Sequence, residues 1–306
     1  MARHIAKRLL FSIFVLWGAL TIVFVAVRVI PGDPAQMMLG SSGTQADVAR
    51  LRHRLGLDAP LGVQYGRYLA GAVRLDFGQS LVLEEPAVRA VNERLPATGL
   101  LAARAMVLGV AVGLPLGVIA ALRPRSAADY LVSVASLAGQ SVPNFWLGIM
   151  FILVFARELR WLPSAGIGGL SHLVLPAVTL ALLLIGVLTR LVRSGLLEVV
   201  QEDYIRSAYA KGLARVQVIR RHALPNVLVP VITIVGLQLG NLLAGAVIVE
   251  TVFAWPGAGR LLVQAIGNRD YPVVQVAVLF ITVSFILVNL LVDVSYAYLD
   301  PRVRYQ

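Results

Sequence analysis

Six apolar stretches decide what this chain can become. They run over 9–27, 97–122, 130–155, 173–192, 227–249 and 273–298. At a rise of about 1.5 Å per residue, a helix of that length crosses a hydrocarbon core of about 30 Å. With 58% hydrophobic and only 14% charged residues among 306, the chain is too apolar for a soluble domain of its size. The expectation is an all-α, multi-pass membrane protein with six transmembrane helices. The first stretch follows a short basic start and ends in Val27-Arg-Val-Ile-Pro-Gly-Asp-Pro34 rather than in the small residues of a cleavage site. It reads as an uncleaved span, not a signal peptide.

Composition excludes several kinds of chemistry. The net charge of +11 gathers at the edges of the apolar stretches, where orientation and anionic headgroups account for it, so no nucleic-acid partner is expected and membrane lipid is. There is no cysteine, hence no disulfide and no thiolate chemistry. His4, His53, His172 and His222 lie far apart without ligand spacing, so no metal site is expected. No phosphate-binding G-x-x-x-x-G-K-[ST] loop occurs, nor paired carboxylates, a Ser/His/Asp order or H-E-x-x-H, so neither catalytic residues nor a bound cofactor are expected.

Basic residues set the orientation. Arg123 and Arg125 follow the second stretch, seven basic residues lie between Arg190 and Arg221, and the 156–171 connection has only Arg157 and Arg160. With Arg3, Lys7, Arg8, Arg302 and Arg304, this puts both termini and the 123–129 loop in the cytoplasm. Segment 31–96 then faces out, between an N-terminal part at 1–30 and a five-helix core at 97–306. It reads as a helical insertion. Thr44 caps a helix whose Val48, Leu51 and Leu55 share a face and that stops at Gly56; Pro60 opens another carrying Val63, Tyr65, Tyr68, Leu69 and Val73; Pro86 opens a third with Val88, Val91 and Leu95 inward.

Polar residues inside the spans are few. Gln140-Ser-Val-Pro-Asn-Phe-Trp146 places a proline within the third. Gln140, Ser141 and Asn144 there either line a pathway beside a hinge or act as polar glue between helices. In the fifth, Gln238 and Asn241 accompany Gly236, Gly240, Ala244 and Gly245 at a spacing that allows close helix approach, with pathway lining as the second reading. Arg104 reads as snorkelled or protein-facing, and Glu250, Asp293 and Asp300 as solvated or interfacial residues at span ends.

Between the fourth and fifth spans lies a polar island, 202–225. Tyr204, Ile205, Ala208 and Tyr209 fall on one stripe of a short helix whose first turn holds Glu202 and Asp203. Gly212 stops that helix, and a second runs from Ala214 with Val216, Ile219 and Ala223 at helical spacing until Pro225 interrupts it. The expectation is a cytoplasmic helix-turn-helix elbow with an apolar and a basic face.

Tyr204-Ile-Arg-Ser-Ala-Tyr-Ala-Lys-Gly-Leu213 followed by Arg221-His-Ala-Leu-Pro-Asn226 resembles the cytoplasmic EAA loop of ABC importer permeases of the dipeptide/oligopeptide/nickel type. Gly212, Leu224 and Pro225 match that motif and Ala208 its second alanine; Arg206 and His222 stand where it has glutamate and isoleucine. Pro31-Gly-Asp-Pro34, Leu55-Gly-Leu-Asp-Ala-Pro60, Asp76-Phe-Gly-Gln-Ser80, Val142-Pro-Asn-Phe-Trp146, Glu250-Thr-Val-Phe-Ala-Trp-Pro-Gly-Ala-Gly-Arg260, Asn268-Arg-Asp-Tyr-Pro272, Asn289-Leu-Leu-Val-Asp293 and Leu299-Asp-Pro-Arg302 resemble the family in the same order. Leu75 departs from it where glycine is common.

The resemblance implies a type I permease fold in a bacterial inner membrane. It implies as partners a second homologous permease, two cytoplasmic ATPase subunits that carry ATP and magnesium, and an extracytoplasmic solute-binding protein. Asp203, Tyr204, Arg206, Ala208, Lys211, Gly212, Arg215, His222 and Pro225 would then couple to the ATPase, and Trp255 and Arg260 would contact the binding protein. Dipeptides or oligopeptides are the expected cargo, moved by alternating access. Nickel or another small solute is the alternative cargo, and an ion-coupled secondary transporter the alternative class.

Overall fold

In the computed structural model, residues 2–29, 35–36, 44–54, 56–80 and 82–299 are described. The Pro31-Gly-Asp-Pro34 motif, Asp300, Arg302 and Arg304 lie outside these residues, as do the side chains of Arg3, Lys7 and Asp293. The helices are α1 (Ala2–Val29), α2 (Gln45–Arg54), α3 (Leu61–Arg74), α4 (Ala87–Asn92), α5 (Leu95–Leu122), α6 (Ala127–Ser141), α7 (Asn144–Phe151), α8 (Leu170–Val199), α9 (Asp203–Ala210), α10 (Arg215–Val218), α11 (Leu224–Val252), α12 (Ala258–Gly267) and α13 (Tyr271–Leu299). Wider π turns extend α7 over Ile152–Glu158 and join α10 to α11 over Ile219–Ala223. Among the described residues five helical stretches are long and apolar enough to cross a membrane, and six if the bent pair α6 and α7 counts as one span. The chain divides into two compact units, with boundaries at Ala97/Thr98, Trp255/Pro256 and Ile286/Leu287.

In the first unit, α1 carries an aromatic cluster. Phe24 packs at 5.0 Å from Tyr65 and 5.6 Å from Tyr68, and Tyr68 meets Phe77 at 6.1 Å. Arg28 lies 3.4 Å over the Phe24 ring and donates through Nη2 to Gln64 Oε1 at 2.9 Å. Gln64 in turn donates to the carbonyls of Leu57 and Ala59. These contacts place α3 against α1. Thr44 caps α2 as expected: its hydroxyl accepts from the Asp47 amide, while its own hydroxyl and amide donate to Asp47 and hold that carboxyl below its ordinary range. Gly56 takes φ +64, and Pro60 and Pro86 precede α3 and α4. On α3, Tyr65 and Leu69 pack beside the buried residues. Tyr68 and Ala72 are buried, but Val63 is exposed and Val73 is 86% exposed. On α4, Ala87, Ala90 and Val91 are buried with Val88 and Leu95 packed beside them.

In the second unit α8 is the hub, and α6, α7 and α11 pack on it. Its partner α5 approaches on glycines. A Cβ on Gly109 would lie 2.4 Å from Leu184 Cδ2, and one on Gly117 would lie 2.7 Å from the Thr189 carbonyl oxygen. Thr189 also donates to the Gly113 carbonyl at 3.2 Å. On α11, Gly236 lets Val292 of α13 approach and Gly245 lets Leu180 of α8 approach. Close helix approach is therefore the use of those glycines.

Three expectations change. The third span is not one helix: Val142 is extended, Pro143 precedes α7, and the two halves meet at 107°. The residue before a proline is biased out of the helical region, and Pro143 itself has no amide hydrogen to continue the ladder. Pro225 does not interrupt its helix, because the π turn at Ile219–Ala223 widens the backbone where the proline ring would crowd the Arg221 carbonyl, and α11 continues through it. Glu250 is not solvated but 0% exposed, and it accepts a 2.5 Å hydrogen bond from the Thr98 hydroxyl.

Candidate functional site

The elbow is α9, a turn, and α10. Glu202 is extended and Asp203 occupies the first turn of α9. The turn closes at Gly212 with φ +80, a left-handed conformation that glycine adopts without the cost of a Cβ; its amide donates to the Tyr209 carbonyl at 2.9 Å. The expected apolar stripe splits in two. Ile205 and Ala208 are buried against the chain itself, together with Val218, Ile219 and Ala223, whereas Tyr204, Tyr209 and Val216 are exposed. The two buried α9 residues anchor the elbow, and its aromatic and basic side chains are exposed.

Two side-chain bonds fasten the elbow to long helices. Arg215 Nη2 donates to the carbonyl of Leu122, the last residue of α5, at 3.0 Å. Asn226 Nδ2, in the first turn of α11, donates to the Tyr204 hydroxyl at 2.7 Å and to the His222 carbonyl at 3.1 Å. An arginine on a terminal carbonyl satisfies an orphan acceptor of that helix and sits at its negative end. Displacing the elbow therefore pulls on α5 and α11 together. Arg206 and Lys211 are exposed, and Arg206 reaches back to Asp203 at 3.5 Å in a solvent-exposed pair of little energetic weight. His222 is half-buried in the π turn and Pro225 is exposed.

The pathway candidates fall at two places. Gln140, Ser141 and Asn144 flank the break in the third span, with Ser141 exposed and Asn144 Nδ2 3.6 Å from where a Cβ on Gly245 would lie. Gln238 and Asn241 bond one another on α11 at 2.6 Å. Trp255 is 6% exposed, so its ring offers little surface to a binding protein, while Arg260 is half-buried.

Sequence reasoning missed the pairing of α6 with α8. Asp129 receives Nε of Arg193 at 2.5 Å and Nη2 at 2.8 Å, and Arg190 Nη2 donates to Gln140 Oε1 at 2.7 Å. The available signal was that Arg190 and Arg193 stand three residues apart and so share a helix face. An acidic partner 64 residues away is not visible from local pattern.

Comparison with known proteins decides the family. The binding-protein-dependent transport system inner membrane component family matches residues 113–305, and its N-terminal counterpart matches residues 1–102. This chain belongs to that family. The permease is 40% identical over the full length of both chains to the dipeptide transport system permease protein DppB of Alkalihalophilus pseudofirmus. It is likewise 40% identical, over all of both chains, to the glutathione transport system permease protein GsiC of Escherichia coli K12. Among solved structures, the inward-facing methionine ABC transporter MetNI superposes with a TM-score of 0.54 at 20% identity, covering 67% of this chain and 92% of that one. An amino acid ABC transporter with histidines gives 0.56 at 14% identity, covering 69% and 94%. These superpositions show that the chain shares the fold of these ABC transporter chains. The permease is thus a multi-pass inner-membrane transport subunit, not an enzyme; it works in a complex with a binding protein and with separate subunits that hydrolyse ATP.

Proposed function

We propose that this permease imports dipeptides or oligopeptides by alternating access, driven through the elbow by ATP binding and hydrolysis on its partners. The observation that carries the cargo is end-to-end identity of 40% with permeases named for dipeptide and glutathione transport. The coupling reading rests on Arg215 and Tyr204, whose hydrogen bonds join the elbow to α5 and α11. On this reading Asp203, Tyr204, Arg206, Ala208, Lys211, Gly212, Arg215, His222 and Pro225 form the elbow that docks in a cleft of the ATPase, as amphipathic helices dock in grooves. Ala208 serves from within as an anchor. The complete assembly has this chain, a second homologous permease, two ATPase subunits that bind ATP and magnesium, and one extracytoplasmic binding protein. Both termini and the elbow lie in the cytoplasm, and the helices between 31 and 96 outside, where Arg260 and the backbone around Trp255 meet the binding protein.

The test is reconstitution of all subunits in proteoliposomes with the binding protein and a labelled dipeptide. ATP-dependent uptake is expected, and Gly212→Pro or Arg206→Glu should abolish ATPase association or uptake while leaving membrane insertion intact. Normal uptake in both variants would sink the coupling role, and uptake without ATPase subunits under an ion gradient would sink the importer mechanism.

A further inference from the structure

Arg190 is a guanidinium in a membrane-spanning helix that points the wrong way for snorkelling. Helices α6 and α8 run antiparallel: Asp129 pairs with Arg193 at one end, the Ser136 carbonyl lies opposite Gly186, and Gly139 lies opposite Leu182. Arg190 sits one turn from Gly186, on the side toward Arg193, and its side chain reaches to the Ser136–Gly186 level, where the Gln140 amide folds back to the Ser136 carbonyl. It therefore extends away from the Asp129 end, which the topology proposed above places at the cytoplasmic surface, and toward the break at Val142–Pro143. Side chains on a helix lean toward its N-terminus, which permits this direction but does not compensate a charge for leaving water.

Something else must. Charged side chains at membrane depth pair with one another or face a water-filled cavity. Asp129 is already engaged on both oxygens by Arg193, and among the described residues no carboxylate lies within ion-pair distance of Arg190. Among the described residues its side-chain hydrogen bond is to a neutral amide oxygen, which leaves most of a five-donor fork open. Gln140 is oriented for this role because its Nε2 donates to the Ser136 carbonyl at 3.2 Å, turning Oε1 toward the arginine. The site is exposed and adjoins non-helical backbone, and backbone of that kind at membrane depth is tolerated where it is buried in protein or lines a water-filled cavity.

We propose that Arg190, steadied by Gln140, is a carboxylate-binding subsite on the translocation pathway, where the guanidinium receives the terminal carboxylate of the passing peptide in a bidentate pair. This rests on the peptide-import reading for the identity of the anion but not for the existence of the subsite. A lipid phosphate shares the chemistry and is separated by the test.

The chain has no cysteine, so Ser141→Cys puts a single thiol beside Gln140. In the assembled transporter in proteoliposomes, that thiol should react on the order of tenfold faster with an anionic than with a cationic methanethiosulfonate reagent, and Arg190→Gln should erase the preference. Ala-Ala should protect the thiol, and its C-terminal amide should not. Arg190→Lys keeps the charge without the planar fork, so the reagent preference should persist while protection by Ala-Ala weakens about tenfold. Protection by acetate but by no peptide would overturn the peptide cargo and leave the subsite standing. A reagent preference independent of Arg190, undiminished protection in the lysine variant, or a preference present only in anionic lipid and insensitive to every carboxylate would overturn the subsite.

Discussion

Asp129 and Arg193 meet fork to fork across α6 and α8, with Nε and Nη2 of the arginine at 2.5 and 2.8 Å from the two carboxylate oxygens. Asp129 is 3% exposed and also accepts from the Arg125 amide at 2.9 Å. The pair fixes the end of α6 nearest the 123–126 turn onto the hub helix. Removing one partner leaves the other charge without compensation. Arg193 retains solvent contact, so we expect Asp129→Ala to cost about 1–3 kcal/mol rather than the full penalty of a buried pair. A double-mutant cycle with Arg193→Ala, read by thermal unfolding in detergent, checks this: the double variant should be no worse than the poorer single one.

Leu75 closes α3 with φ +55 and is half exposed. A side chain pays about 1 kcal/mol to hold that conformation, and little burial is lost on its removal. Leu75→Gly is expected to raise the unfolding midpoint, whereas Leu75→Val should lower it. The family-like glycine at this position is thus explained by backbone conformation.

Gly117 faces the Thr189 carbonyl at a distance no Cβ can occupy, whereas nothing lies within 4 Å of a Cβ on Gly99 of the same helix. Gly117→Ala should destabilise by about 1–3 kcal/mol through overpacking, and Gly99→Ala should be neutral or stabilising. Equal unfolding midpoints for the two variants would contradict the α5–α8 contact.

Ser80 donates to the buried Asp270 carboxylate, whose other oxygen has no hydrogen-bond partner among the described residues. The Leu83 amide donates to the same hydroxyl at 2.9 Å, so one serine holds the 80–83 turn and Asp270 together. Ser80→Ala orphans both and is expected to cost about 1–3 kcal/mol. Limited proteolysis should show earlier cleavage near 80–86 in that variant, while Ser80→Thr should retain most of the protection.

How much was legible in the sequence divides along a physical line. Number and rough extent of the spans, the caps at Thr44, Pro60 and Pro86, and the turn at Gly212 follow from local hydropathy and backbone chemistry, which neighbouring residues carry in full. The order of motifs carried the family. Direction and pairing did not follow, because they depend on residues far apart in the chain. Tertiary structure alone decided that Ile205 and Ala208 turn inward while Tyr204 and Tyr209 stay out, that Glu250 is buried beneath Thr98, that Trp255 is enclosed, and that Pro143 breaks its span while Pro225 does not. A proline's consequence depends on whether the turn before it can widen, and a charge's role on which helix lies opposite. Arg190 and Arg193 illustrate this: three residues apart on one helix face, one meets an amide and the other a carboxylate.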